Sequence, residues 1–556
     1  MLIPIIAFDT RNLLDKYLEA AQTIVNRHDT LRTAILHEDL SKPAQVVWRH
    51  APLSITELQL DPCHGPIVDQ LKQRLDPRRI RIDLTQAPLL RFTVAQEADG
   101  RWIVAKLIHH LIIDHAAIDT LNIEIKAFMD GQDYTLPSPQ PFRNLIAQAR
   151  SGLSQDDNER FFREMLMDID TPSLPFGLKD VHGQGESITT SSQALPQDLD
   201  DRLRRQARQF GVSVASLCHL AWAQVISRTS GEERVVFGTM LFGRMNSGQG
   251  ADSAMGLFIN TLPLRVDLNG TIRESLLQTN ERLALLLDHE HASLALVQRY
   301  SSVPQGIPLF SAVLNYRHNA AAEETTINPG IQYLEFEERT NYPLFLSIDD
   351  YGESLSFVAD VVQPFSPKRV CGYMQQALES LVSALEHAPD TMAHELIILP
   401  EDEQELLLRT WNKTRQDYPS DMCIHHLFEQ QVEHTPQAIA LEFNGQSLTY
   451  SELNRRANGL AHYLIGIGVQ LETRVAICVE RSIAMIVGIL AILKAGGVYV
   501  PLYPVFASER LSDILMDASP GILVADDCGK QALGDDALSV TVVDPDMEIA
   551  DSGSER

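Results

Sequence analysis

KLIHHLIIDHAAIDTLNIEI, residues Lys106 to Ile125, places two histidines between a strand-like and a helix-like segment. Leading into it, Trp102 to Ile108 is mostly apolar and rich in branched residues, the composition of a buried strand. From Ile118 onward the apolar positions fall at Ile118, Leu121, Ile125, Phe128 and Met129, with Asn122, Glu124 and Lys126 mostly on the other side, which predicts an amphipathic helix. Asp114 stands where a helix cap belongs. The stretch therefore predicts a strand ending in His109 and His110, a short turn, and a helix. A neutral imidazole there can take a proton from an attacking nucleophile near neutral pH. Adjacent strand residues face opposite ways, so one histidine is expected at the reacting groups and the other in a structural role. On spacing alone, a pair of surface or hydrogen-bonded histidines beside a helix cap explains the pattern as well. A metal site is not expected here: HExxH is absent, and His109, His110 and His115 do not fall at a familiar ligand spacing.

The 556 residues suffice for several domains, and a composition of 44% hydrophobic and 22% charged residues is that of a globular protein. A net charge of −28 argues against nucleic acid or an anionic membrane as partner. The six cysteines are scattered without CxxC, which fits thiols in a reducing cytoplasm better than a disulfide framework. The opening MLIPIIAFDTR lacks a basic leader, and the longest apolar run, Ile483 to Leu493, is too short to span a bilayer.

HHLIIDH resembles the HHxxxDG signature of nonribosomal peptide synthetase condensation domains. Three further family-like stretches follow the expected order: RHDTLRT (Arg27 to Thr33), MGLFINTLPLR (Met255 to Arg265) and RTNYPL (Arg339 to Leu344). Together they cover residues 1 to about 390. His115 stands in place of the family's glycine and adds bulk to the turn beside His110. HHLxxDH, with PFRNLIAQAR (Pro141 to Arg150), is similar to the branch that includes dual epimerisation/condensation domains. The resemblance implies an α/β fold of two lobes like chloramphenicol acetyltransferase, meeting in a V at the His109–His110 loop, with residues 1–170 as the first lobe and 171–395 as the second. It also implies that Arg32 or Arg244 is the ionic partner of Asp114, and that Asn260 lies near the lobe interface; the alternatives are a solvated Arg32 and a simple edge-strand Asn260. A leading SxAQxRLW-like segment of the family does not precede Met1, so the first lobe is expected to lack its front piece.

Local patterning fills in the rest. Residues 2–8 predict a strand and 13–26 a helix; helices are expected at about 142–152, 156–167, 198–210, 213–229 and 367–386, and strands at 234–242, 255–266, 308–316 and 342–350. His289 and His291 are expected on a helix, and Pro175 to Ser187 in a crossing segment whose GQG is not a phosphate loop. Residues 396–425 resemble the linker that joins condensation to adenylation domains, and His425–His426 are expected merely to open a helix.

From 426 to 556 the chain resembles the start of an adenylation domain, an acyl-adenylate-forming α/β subdomain, through LTYSEL (Leu448 to Leu453) and LKAGGVYVPL (Leu493 to Leu502). Thr449 with Glu452 also makes a capping box on its own account. The family's TSGSTGxPKG phosphate loop does not occur, so this part is expected not to hold ATP. The implied reaction is peptide-bond formation between thioesters carried on the 4′-phosphopantetheine arms of upstream and downstream carrier proteins, with no cofactor or metal bound directly. His110 is expected to face the amine, as base or as orienting group, while His109 and Asp114 hold the loop. Two other classes stay open: a coenzyme A-dependent acyltransferase, and an inactive synthetase fragment acting at most as a docking piece.

Overall fold

The computed structural model describes residues 2–76, 80–150, 153–181, 183, 188–244, 254–318, 328–337, 340–506 and 508–547. Most of the GQG segment, Arg339 of RTNYPL, and residues 248–253, whose Gly, Ser and Asp content predicts a loop, lie outside the described residues. The chain forms two compact units, residues 1–412 and 413–556, and is mixed α/β as expected.

The first half of unit one opens with β1 (Ile3–Phe8) and α1 (Arg11–Arg27), continues through β2 (Ser54–Leu58), β3 (Leu90–Gln96) and β4 (Trp102–Ile108), and reaches α2 (His115–Met129). IPIIAF is buried at every position, so β1 takes an interior place in its sheet rather than an edge. Apolar positions of α1 and α2 pack on the same core, which includes Ile24, Val25, Ile118 and Leu121.

The second half contains β5 (Ile188–Ala194), α3 (Val214–Ser230), β6 (Arg234–Leu241), β7 (Asn260–Asp267), α4 (Ile272–Asp288), β8 (Ala312–His318), β9 (Ile331–Glu337), β10 (Leu344–Asp350), β11 (Leu355–Val362) and α5 (Pro367–His387). Its six-stranded sheet runs β5-β11-β10-β8-β6-β7. Helix α3 is buried from Ser216 to Ser227 and supplies Trp222 to the core, with α5 packed beside it. Strand β9 leaves this half and pairs antiparallel with β1, giving the first sheet the order β9-β1-β4-β3-β2. The two halves thus share a sheet as well as a chain.

Three local expectations need correction. The strand expected at 255–266 begins only at Asn260, because the backbone of Met255 to Phe258 is engaged by the side chains of Thr30 and Asp114. His289 and His291 do not lie on a helix: α4 ends at Asp288, and both follow in the turn. His289 stacks on Phe161 with ring centroids 4.0 Å apart and shares a 2.7 Å hydrogen bond with Asn158. His109 and His110 lie one and two positions past the end of β4, so strand alternation does not set their directions.

Unit two holds α6 (Ile424–His434), β12 (Arg474–Cys478), α7 (Ile483–Lys494), β13 (Val498–Leu502), β14 (Ile522–Ala525) and β15 (Thr541–Val543). Its parallel sheet runs β13-β12-β14-β15. An antiparallel hairpin, 439–443 with 446–449, turns on Asn444 and Gly445, both at positive φ as a two-residue hairpin loop demands. No single helix among the described residues is long and apolar enough to cross a membrane.

Candidate active site

The turn between β4 and α2 is built around Asp114, which has no exposed surface. It caps α2: its Oδ1 accepts from the N–H of Ala117 at 2.9 Å. The same oxygen accepts from Arg244 Nη2 at 2.8 Å, and Oδ2 accepts from the N–H of Phe258 at 3.0 Å. The backbone N–H of Asp114 donates to the carbonyl of Gly256 at 3.3 Å. One side chain therefore satisfies a helix terminus, a guanidinium and a backbone donor, which makes a buried carboxylate tolerable.

Arg244 is equally buried. Its Nη1 donates to the carbonyl of Ala254 at 2.8 Å, and its guanidinium lies 4.3 Å from the ring centre of Phe258. Gly243 is held at φ 69°, and a Cβ on it would come within 1.9 Å of the Phe258 carbonyl oxygen, so only glycine permits this approach. Of the two arginines expected at Asp114, then, the structure brings Arg244 there and not Arg32. Arg32 Nη1 instead donates to the carbonyl oxygens of Trp48 and Arg49, holding the strand after LRT against its neighbour.

The rest of RHDTLRT reaches the same place by other residues. His28 shares a buried 2.7 Å hydrogen bond with Glu124 on α2, and Thr30 donates to the carbonyl of Met255 at 3.3 Å. Asp29 accepts from the N–H of Phe142, whose ring packs edge-on to that of Phe258. Thr30 and the Phe142 ring thus join Asp114 and Arg244 in holding residues 254–258. Phe258, Ala254 and Glu124 do not stand out in the sequence. Ala254 acts through its carbonyl and Phe258 through its N–H as well as its ring; backbone contacts leave no signature in residue type, and Glu124 sits on the polar side of an ordinary amphipathic pattern.

His109 and His110 occupy the turn so held, both half-buried. The N–H of His109 donates to the carbonyl of Leu89 at 3.0 Å, and the N–H of Leu111 donates to His109 Nδ1 at 3.2 Å, which leaves the proton of a neutral ring on Nε2. Burial pushes the His109 imidazole down to about 4, so it is neutral at physiological pH. His115 is the first residue of α2 and half-buried. Asn260 opens β7 and donates through Nδ2 to the carbonyls of Glu290 at 2.9 Å and Ala292 at 2.7 Å, tying the strand to the turn after α4. Two residues upstream of the end of β4, Lys106 is buried, and burial lowers its ammonium to about 7. The arrangement offers a neutral imidazole on a rigid turn. Asp114, fully engaged elsewhere, is not spare to act as an acid–base partner for it.

Comparison with known proteins agrees with this architecture. The profile of the condensation domain matches residues 8–408, and that of AMP-binding enzymes matches residues 428–555. The chain is 58% identical over 544 residues to malpinin synthetase of Mortierella alpina, a match covering 97% of this chain and 7% of that protein. It is 53% identical over 526 residues to malpibaldin synthetase of the same organism, covering 94% of this chain and 10% of that protein. The chain thus spans a small part of the length of these curated relatives. Among solved structures, a four-domain nonribosomal peptide synthetase bound to AMP and glycine superposes with a TM-score of 0.79 at 20% identity, covering 98% of this chain and 42% of that one. The condensation domain from Monacolin K polyketide synthase gives a TM-score of 0.54 at 17% identity, covering 70% of this chain and 93% of that one. At such identities the superpositions speak for the fold.

Proposed function

The chain belongs to the condensation-domain family of nonribosomal peptide synthetases and continues into the N-terminal part of an AMP-binding domain, and from that premise we propose that unit one joins two carrier-bound acyl groups through an amide bond, with His110 at the reacting amine. The observation that carries the reading is the turn His109 to Asp114, fixed by a fully buried carboxylate to a segment more than a hundred residues further along the chain. A turn anchored in that way can hold an imidazole in one place while two long, flexible substrates come and go.

In the proposed reaction the amine of an aminoacyl thioester, presented on the phosphopantetheine arm of a downstream carrier, attacks the thioester carbonyl of an upstream donor. A C–N bond forms, the C–S bond breaks, and the donor arm leaves as a thiol, taking up the proton that the amine gives up. His110 accepts that proton or holds the amine by a hydrogen bond as it attacks. His109, neutral and bonded to the backbone of its own turn, keeps the turn's shape. Asp114 with Arg244 fixes where the turn sits, and His115 narrows the approach beside His110. The free thiols of Cys218, Cys371 and Cys478, all buried, suit a cytoplasmic setting.

The test supplies this chain with donor- and acceptor-loaded carrier proteins and follows product in a single turnover. His110→Ala is expected to lower the rate by about 10²–10⁴-fold, the usual worth of a positioned acid–base group, while the melting temperature stays that of the native chain. Undiminished product in that variant overturns the assignment. Transfer from a coenzyme A thioester with no carrier present points instead to a free-standing acyltransferase.

A further inference from the structure

Three side chains in unit two converge at the start of α6. One potential ligand atom each from Cys423, His425 and His426 lies within 4.8 Å of the others. By sequence the two histidines merely open a helix and no metal is expected; the helix is there, but its start does not account for the cluster. Cys423 is the residue before the first turn, and its side chain makes no capping hydrogen bond. His425 is half-buried, and its Nδ1 is sealed from solvent with no hydrogen-bond partner among the described residues. A buried ring nitrogen left without a partner costs free energy unless something else fills the place. The two imidazole rings sit 4.4 Å apart at 64°, so they are not stacked on each other.

We propose that Cys423, His425 and His426 hold one divalent ion of the zinc class, with a fourth position open to water. A thiolate with two imidazoles selects a borderline-soft transition metal over calcium or magnesium, which require oxygen ligands. A tetrahedral zinc centre places such ligands about 3.3–3.6 Å from one another. Cys423 and His426 are both exposed and can turn the remaining distance without disturbing a core. The neighbouring cation does not oppose the ion outright, because Lys494 is paired with Glu429. Bound metal itself takes the thiol to its thiolate form. All three ligands lie within four consecutive residues, so the ion would lock the first turn of α6 to the irregular segment before it.

The experiment uses the untagged full chain, stripped with chelator and kept reduced with a phosphine. Cobalt(II) is titrated in and followed by absorption, then displaced with zinc. One equivalent of cobalt is expected to give a thiolate-to-metal charge-transfer band and the strong visible bands of a tetrahedral site. Cys423→Ser is expected to abolish the charge-transfer band. His426→Gln is expected to keep that band. Both are expected to weaken zinc binding at least about tenfold in competition with a chromophoric chelator. Far-UV dichroism, unchanged for substitutions at two exposed positions, shows that loss of binding is not loss of fold. Absence of saturable cobalt uptake, or uptake unaltered in both variants, overturns the proposal.

Discussion

Asp114 has no exposed surface, and its oxygens accept from Arg244 and from the N–H groups of Ala117 and Phe258, so under the proposed reaction the proton-transfer role is left to a histidine of the same turn. His109 is a poor candidate, because its Nδ1 is bonded within the turn and burial pushes it to about 4. For a base depressed in this way the unfolded chain binds its proton first as pH falls. Stability from His109 is therefore whole above its ordinary pKa of 6.5 and is lost between 6.5 and about 4. Proton NMR of the ring is expected to show a midpoint near 4; a midpoint at the ordinary value contradicts the buried setting. Lys106 obeys the same sign with a larger reach. Its ammonium, ordinarily at 10.5, is lowered to about 7 by burial alone. The penalty is complete below pH 7, shrinks as pH rises, and is gone above 10.5. Lys106→Met is expected to stabilise unit one by roughly 2–4 kcal/mol at pH 7 and by distinctly less at pH 10. Urea unfolding at the two pH values checks this, and an equal gain at both would show that the lysine is not held neutral.

The turn between β4 and α2 and the segment 254–258 behave as one device, because each satisfies polar groups of the other. Asp114→Ala removes a helix cap and leaves Arg244 buried without its counter-charge, which is expected to cost about 3–5 kcal/mol as well as activity. Adding Arg244→Met to that variant is expected to recover part of the loss, since the stranded guanidinium is then gone. Denaturant unfolding of the two single variants and the double variant measures the coupling; strictly additive losses would show that the pair does not act as a unit. The helical half of this device was legible in the sequence: the apolar spacing of α2 and Asp114 at its cap are local patterns, and α2 begins one residue after that cap. The choice between Arg32 and Arg244 was not legible, because the resemblance offers both and only the tertiary path decides which guanidinium arrives. Nor was the irregular backbone at Met255 to Phe258. Its residues read as a continuation of β7, but an apolar run says nothing about a backbone N–H that donates to a carboxylate from another element.

At the scale of the whole molecule, the α/β character and the change of family near residue 426 could be read from motifs, whereas the placing of β9 could not. That strand pairs with β1 across more than three hundred residues, and pairing at such separation has no local sequence signal. The division into units is written more plainly. Residues 408–421 are exposed without exception, Trp411 and Tyr418 are 65% and 76% exposed, and 413–419 belong to no helix or strand. Each unit meanwhile has cores of its own, built around residues such as Trp222 and Ile24 in one and Leu464 and Val524 in the other. A segment of that kind can enter a protease site in extended form without opening a core on either side. Brief trypsin digestion is therefore expected to cut first after Lys413 or Arg415. The two products are expected to stay folded, with the unit-two fragment keeping a cooperative melting transition that the intact chain also shows. Mass spectrometry of the first products and calorimetry before and after cleavage decide the matter. A first cut inside α3 or β8, or a unit-two fragment with no transition of its own, would show that the two units do not fold as separate cores.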